Sequence, residues 1–414
     1  MRKIRLFASA AAFLLLLCGC QGQTARGSGD FQYYLHTNVI EQMIAESDDG
    51  FYIKVAGFMT FCDKENLQAA PLCCRPECSH TSLGTDPAEK CDAFFGLGTP
   101  CMTGGQLFVC CRMDGYKQPA IAALAADGSS RRPLIFLEGT PGFFLVHRGK
   151  AYVTIWETVI EGKLSADSGI WEYDLNRPFA KPRHIYNRKT FFGDEDAYTR
   201  EGISNLLAYD HYLYFLDRRV DDREGLCLFV LDLDTGAVTI PELQNSTGSS
   251  TYLAIFRDRV YINRFFYESG SENRFQSAVL QSYALDGSDA RSHGLFPYGM
   301  ICADSRYFYQ MDILPVDKGE DDHRLRVYDT DFTLLREFSL SELYEKPEEL
   351  TLLTPIPTES DFLLLVAHGR SLDTGFGFAS YDFLRKSEFS LDTVPRSTFF
   401  SAIIPESGEA QFVY

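Results

Sequence analysis

Twelve cysteines are spread unevenly over the 414 residues. Eight of them crowd between Cys62 and Cys111. The densest piece reads Pro71-Leu72-Cys73-Cys74-Arg75-Pro76-Glu77-Cys78-Ser79-His80, with Cys91-Asp92-Ala93-Phe94 beyond it. Thiolate and imidazole are ligands that zinc prefers, and three cysteines with one histidine close a tetrahedral structural site. The same sulfurs could pair as disulfides in an exported protein, or stay free or redox-active where the surroundings are anaerobic. Neither Cys73–Cys78 nor Cys78–His80 has a standard zinc-knuckle interval, so all three chemistries stand at this point. An open catalytic metal is not expected, because the motif places no carboxylate base. Cys62 and Cys101 could join the cluster. Cys110 and Cys111 share a predicted strand, so their side chains face opposite ways and cannot easily serve one site. Cys227 and Cys302 read as small core residues of distant strands.

The dense piece resembles the first-blade motif of uncharacterised exported lipoprotein β-propellers, found mostly in anaerobic gut Clostridia. That motif runs Pro-Leu-Cys, two residues, Pro, one residue, Cys, one residue, His, then a further Cys beside an Asn-Ala or Asp-Ala pair. Cys73, Pro76, Cys78, His80 and Cys91 match it position by position, over roughly residues 50 to 95. Cys74 stands where the family has a polar residue, and it could substitute for Cys73. The expected set is therefore Cys73, Cys78, His80 and Cys91, holding one structural zinc ion or paired as disulfides.

Other chemistry is less well supported. Acidic patches at Asp194-Glu195-Asp196, Asp221-Asp222 and Glu320-Asp321-Asp322 could do glycosidase work or hold calcium. Each falls in a polar loop without alternating ligand spacing, which fits solvated charge. Ser165-Ala166-Asp167-Ser168-Gly169-Ile170-Trp171 resembles the Asp-box turn of sialidase-type propellers, one residue short, and reads as a blade turn. No His-Glu-x-x-His, Gly-x-Ser-x-Gly or phosphate-loop pattern occurs, which argues against those mechanisms only.

These residues need a scaffold, and a repeat supplies it. A polar turn followed by an apolar–aromatic–apolar strand recurs at Asp49–Ile53, Gly105–Val109, Gly149–Val153 and His211–Phe215. It continues at Asp258–Ile262, Ser305–Tyr309 and Ser360–Leu364, and Gly408–Tyr414 reads as a truncated eighth copy. A second phrase, a strand ending in Asp or a turn, follows at Ile170–Leu175, Leu228–Leu233, Gln281–Gly287 and Leu325–Asp329. Four short strands per unit are the signature of a β-propeller blade. Helix periodicity is confined to Asn38–Ala45 and Ser341–Glu349, which excludes an α/β enzyme. The expected fold is all-β, a propeller over residues 31–414. Eight blades are favoured and seven are the alternative. Phe31–Leu35 is expected to pair with the strands of Ser397–Tyr414 and close the ring.

The first residues carry an address. Arg2, Lys3 and Arg5 precede an apolar run, Leu6–Leu17, too short to span a bilayer. Leu17-Cys18-Gly19-Cys20 resembles the bacterial lipoprotein cleavage box. The expectation is a signal peptide over 1–19, a lipid on Cys20, and a polar tether over 20–30. The protein would then sit on the outer face of the cytoplasmic membrane. A net charge of −18 argues against nucleic acid as a partner and against binding lipid through a basic face. The expected function is a monomeric binding or scaffold protein for a protein, peptide or glycan, more a binder than an enzyme. The alternative is a glycan- or peptidoglycan-acting hydrolase or lyase.

Overall fold

The structure is a computed structural model. It describes residues 44–413 except 56, 77, 79–90, 96–98, 113–117, 157–158, 161–162, 165–167, 189, 191–202, 219–225, 242–248, 268–274, 314–322, 374–376, 393, 395 and 405–410. Among the described residues, seven antiparallel sheets of four or five strands follow one another along the chain, with a two-stranded hairpin, Val159–Ile160 and Lys163–Leu164, inserted in the third. Blade 1 runs from Ile44–Glu46 to Ala69–Pro71, and blade 2 from Thr99–Thr103 to Arg131–Phe136. Blade 3 spans Thr140–His147 to Arg183–Asn187, and blade 4 Ser204–Tyr209 to Val238–Thr239. Blades 5 and 6 begin at Ser249–Phe256 and Gly299–Ala303, and blade 7 at Leu350–Pro357. The first strands of consecutive blades touch one another, so they line the inside of a ring.

Each of the seven full copies of the repeated phrase is the second strand of a blade. His211–Phe215, for example, lies in Tyr212–Arg218, and Ser360–Leu364 leads into Phe362–Arg370. Middle strands are sandwiched between neighbouring blades, so both their faces are apolar. In Leu226–Asp232 the five central residues are all buried. The Asp that ends the second phrase also has a physical role. Asp232 Oδ1 accepts from the backbone N–H groups of Asp234 and Thr235, each at 2.9 Å. Asp329 and Asp286 cap the turns after their own third strands in the same way. Such Asx turns satisfy backbone donors that a hairpin leaves open.

The expectation of eight blades is corrected to seven. The strands Arg396–Ile404 and Gln411–Val413, read as an eighth unit, add to the edge of blade 7 as its fourth and fifth strands. Arg396–Ile404 pairs directly with Gly377–Arg385, the third strand of that blade. The residues after that third strand provide only two more strands, too few for a separate sheet. Ile44 and Ala45, placed by periodicity in a helix, form the inner strand of blade 1. The second helical expectation is met by one turn of helix at Leu340–Leu343, with a capping box between Ser339 and Glu342, and a 3-10 turn at Pro347–Glu349. Phe31–Leu35 lies outside the described residues. Among the described residues, the ring closes by side-chain packing between blades 1 and 7. Phe51 sits against Phe362 and Phe383 with ring centroids 5.9 and 5.0 Å away. The Glu359 backbone N–H donates to Glu46 Oε2 at 3.1 Å. Among the described residues no helix is long and apolar enough to cross a membrane.

Candidate metal centre in the first blade

Blade 1 ends at Pro71, and the chain then makes the cysteine-bearing excursion before blade 2 begins. Two segments of that excursion are fastened to one residue. Met59, early in the strand Phe58–Asp63, donates its N–H to Ala93 O at 2.7 Å and accepts from Leu72 N–H at 2.8 Å. Leu72 precedes Cys73, and Ala93 lies two residues after Cys91. Phe94 forms an isolated bridge with Phe58. Two tight turns complete the frame, Cys78 N–H to Arg75 O at 3.2 Å and Phe94 N–H to Cys91 O at 3.1 Å. Across them, Arg75 grips Asp92 with Nε–Oδ2 at 3.1 Å and Nη2–Oδ1 at 2.8 Å.

This frame brings the sulfurs of Cys73, Cys78 and Cys91 within 4.8 Å of one another. Tetrahedral zinc with sulfur at 2.3 Å spaces its thiolates about 3.8 Å apart, so this group could hold a metal ion with small adjustments. Cys91 is buried, and Cys73 and Cys78 are half-buried. Phe58, Ala93 and Phe94 pack around them. Burial disfavours the Cys73 thiolate. The backbone N–H groups of Arg75 and Asp92 and the neighbouring thiols of Cys91 and Cys78 outweigh it, and the Cys73 pKa falls below that of an ordinary thiol. Cys91 is pushed up to about 12, by burial first and then by its sulfur neighbours, against the Ala93 N–H. A divalent cation reverses this arithmetic, because a coordinating thiol is deprotonated outright.

Of the adjacent pair, Cys73 belongs to this group of sulfurs and Cys74 does not. Cys73 points into the group. Cys74 is exposed and its Sγ lies 3.3 Å from Asp127 O, in the turn before the outer strand of blade 2. That turn presses on the excursion: Gly128 has φ +75°, and a Cβ there would meet Leu72 O at 2.8 Å. His80 and Cys20 lie outside the described residues, as do the three acidic patches. Trp171, beside the Asp-box-like turn, stacks on His184 at 4.2 Å between centroids. The Arg75–Asp92 clasp was not anticipated, since nothing in the spacing of those two residues marks them as partners.

The remaining described cysteines are core residues. Cys111 packs with blade 1 and Cys110 with blade 3, on opposite faces of their strand. Cys62 faces blade 7 and Cys101 faces blade 3, so neither joins the group. No disulfide links the described cysteines. Burial, then the Asp63 charge, pushes Cys62 up to about 12. Burial raises Cys101 to about 11, against the Val146 N–H. A raised folded pKa means stability that is complete below the unfolded thiol's value, near 9, and lost as pH rises toward 11. Each group costs about 1.4 kcal/mol per pH unit in that window. The unfolding free energy should therefore fall between about pH 9 and 10, by about 2 kcal/mol for the two thiols together, and the urea midpoint with it. Buried tyrosines such as Tyr186 and Tyr214, raised by burial, steepen the loss further. A double variant, Cys62→Ala with Cys101→Ala, should show a shallower slope. An unchanged slope refutes the assignment.

No protein-family model matches the chain, and no curated protein matches it. Solved structures do resemble it. TolB from Acinetobacter baumannii is 12% identical with a TM-score of 0.36, over 67% of this chain and 58% of that one. An oligogalacturonate lyase in complex with manganese is 12% identical with a TM-score of 0.48, over 77% and 81%. A puromycin-hydrolyzing peptidase of Mycobacterium tuberculosis is 15% identical with a TM-score of 0.46, over 82% and 50%. The chain thus spans little more than half of the TolB chain and half of the peptidase. These are likenesses of the propeller fold.

Proposed function

We propose that this protein is a propeller held on the outer face of the cytoplasmic membrane by a lipid on Cys20. There it binds a protein, peptide or glycan partner as a non-enzymatic scaffold. Its first blade is pinned by one zinc ion, held by Cys73, Cys78 and Cys91, with His80 as the fourth ligand. The convergence of three thiols on two segments anchored at Met59 is the observation that carries the metal reading. A disulfide uses two sulfurs and strands the third, whereas a cation uses all three. The site is structural in character, since its ligands tie a long excursion to a strand and Cys91 is buried. A ring of seven stacked sheets gives the scaffold reading its rigid base, with loops free to vary.

The test is metal content. Protein purified anaerobically should carry one equivalent of zinc by mass spectrometry. His80→Ala should lose most of it, and Cys74→Ala should keep it. Zinc far below one equivalent, or an intact disulfide joining Cys73, Cys78 or Cys91, overturns the reading. For the anchor, Cys20→Ala should move the protein from the membrane fraction to the soluble one. Crosslinking on intact cells should return a reproducible partner, and its failure counts against the scaffold role.

A further inference from the structure

Blades 5 and 6 flank an open cleft that none of the foregoing uses. On one side is the hairpin Arg257–Asp258, between the strands Ser249–Phe256 and Arg259–Tyr267. On the other is the turn Thr330–Phe332, before the strand Leu334–Ser339. The cleft has a volume of about 680 Å³, within the range of small-ligand sites. Its wall is aromatic. Tyr261 lies 5.2 Å from Phe332 and 5.7 Å from His293, and His293 stacks on Phe332 at 5.8 Å with 21° between planes.

The polar groups around this wall are held in place beforehand. Arg259 donates Nε to Ser282 Oγ at 3.1 Å and Nη1 to Asp289 Oδ2 at 2.8 Å. Ser282 Oγ in turn lies 2.8 Å from His293 Nε2, fixing the imidazole. Arg257 reaches across the blade boundary to Thr330 O at 2.9 Å and lies 3.5 Å from Asp331. Burial and the charges of Arg259 and Arg291 lower the His293 pKa, so the ring is neutral near pH 7.

The balance of charge selects the ligand. Arg257 is paired with Asp331 and Arg259 with Asp289, and Asp258 on the same rim accepts from the Tyr209 hydroxyl. A bare anion therefore gains little there, since each guanidinium has a carboxylate beside it. Donors and acceptors instead alternate, beside a flat apolar wall. Arg257 and Asp331 remain 55% and 82% exposed, with hydrogen-bonding capacity to spare. A ligand that matches has hydroxyls, which both donate and accept, around a ring with an apolar C–H face. We propose that this cleft binds a sugar ring of a neutral glycan, its C–H face on Phe332 and His293 and its hydroxyls bonded by Arg257 and Asp331. This deepens the reading as a binding protein but rests on neither the metal nor the lipid.

Saturation-transfer difference NMR tests it, with cellotriose, maltotriose and chitotriose as probes and sodium glucuronate as the anionic control. Transfer to ring C–H protons of at least one trisaccharide is expected. Phe332→Asn, which suits the left-handed φ of +59° at that position, should weaken it about tenfold. Arg257→Gln, at an exposed side chain, should weaken it similarly and is the decisive variant if Phe332→Asn does not fold. No transfer to any trisaccharide, transfer to glucuronate alone, or transfer unchanged in Arg257→Gln overturns the proposal. Zinc content and membrane partition are measured separately, so either result stands apart from this one.

Discussion

Replacing Lys386 by methionine should destabilise the protein by about 3–5 kcal/mol, the usual cost of removing one partner of a buried ion pair. Lys386 Nζ lies 2.5 Å from Asp304 Oδ2, and their side chains are 0% and 1% exposed. The pair joins the end of the inner strand of blade 6 to the turn after the third strand of blade 7. Asp304 is otherwise fully engaged. Its Oδ1 accepts from the N–H groups of Arg306 and Tyr307, each at 2.8 Å, and its Oδ2 from the Tyr309 hydroxyl at 2.8 Å. Those bonds hold the carboxylate in place, so it cannot swing out to water when the ammonium is lost. Burial pulls the Lys386 pKa down, and Asp304 only partly restores it. The pair therefore contributes less net stability than its removal costs. Asp304→Asn combined with Lys386→Met should accordingly lose less than the two single variants summed, by about 1 kcal/mol or more. Urea unfolding measures all three. A single-variant cost below about 1 kcal/mol is incompatible with a desolvated carboxylate at this position. By contrast the Arg148–Asp210 pair, 51% and 45% exposed, should be nearly neutral on deletion.

The same contrast explains what could be read from the sequence. The seven second strands were legible because a blade's middle strand is buried on both faces and must carry an apolar–aromatic run after a turn. The Asp closing the third strands of blades 3 to 6 was legible because its carboxylate caps the next turn. The eighth unit was miscounted because a fifth strand added to an edge has the same local pattern as the second strand of a new sheet. Only pairing partners distinguish them, and pairing with Gly377–Arg385 is not a local property. Cys73, Cys78 and Cys91 were legible as a set by their residue types. The choice of Cys73 over Cys74 was not, because it depends on where the blade 2 turn at Asp127 sits. Lys386 and Asp304, 82 residues apart, carry no pattern at all. The cleft at Arg257 and Phe332 escaped for the same reason, being assembled from turns of two different blades.

Ring closure leads to the second large effect. Phe51→Ala should cost about 3–5 kcal/mol, in line with other buried phenylalanine truncations. Phe51 is 0% exposed and stands between Phe362 and Phe383. Every other blade boundary is also crossed by the chain itself, which keeps neighbouring blades close if their packing loosens. At the boundary of blades 1 and 7 the described residues show side-chain packing and the Glu359–Glu46 hydrogen bond. The cavity left by Phe51 should therefore open this seam locally before the ring unfolds globally. Hydrogen exchange should speed up first in Ile44–Glu46, Gly50–Val55 and Phe362–Arg370, while Tyr212–Arg218 on the far side stays protected. Phe215→Ala, a 0% exposed residue within blade 4, should cost as much without that selective opening. If instead Phe51→Ala speeds exchange equally in all seven blades, the ring unfolds as one cooperative unit, and closure through side chains is as strong as closure through the chain.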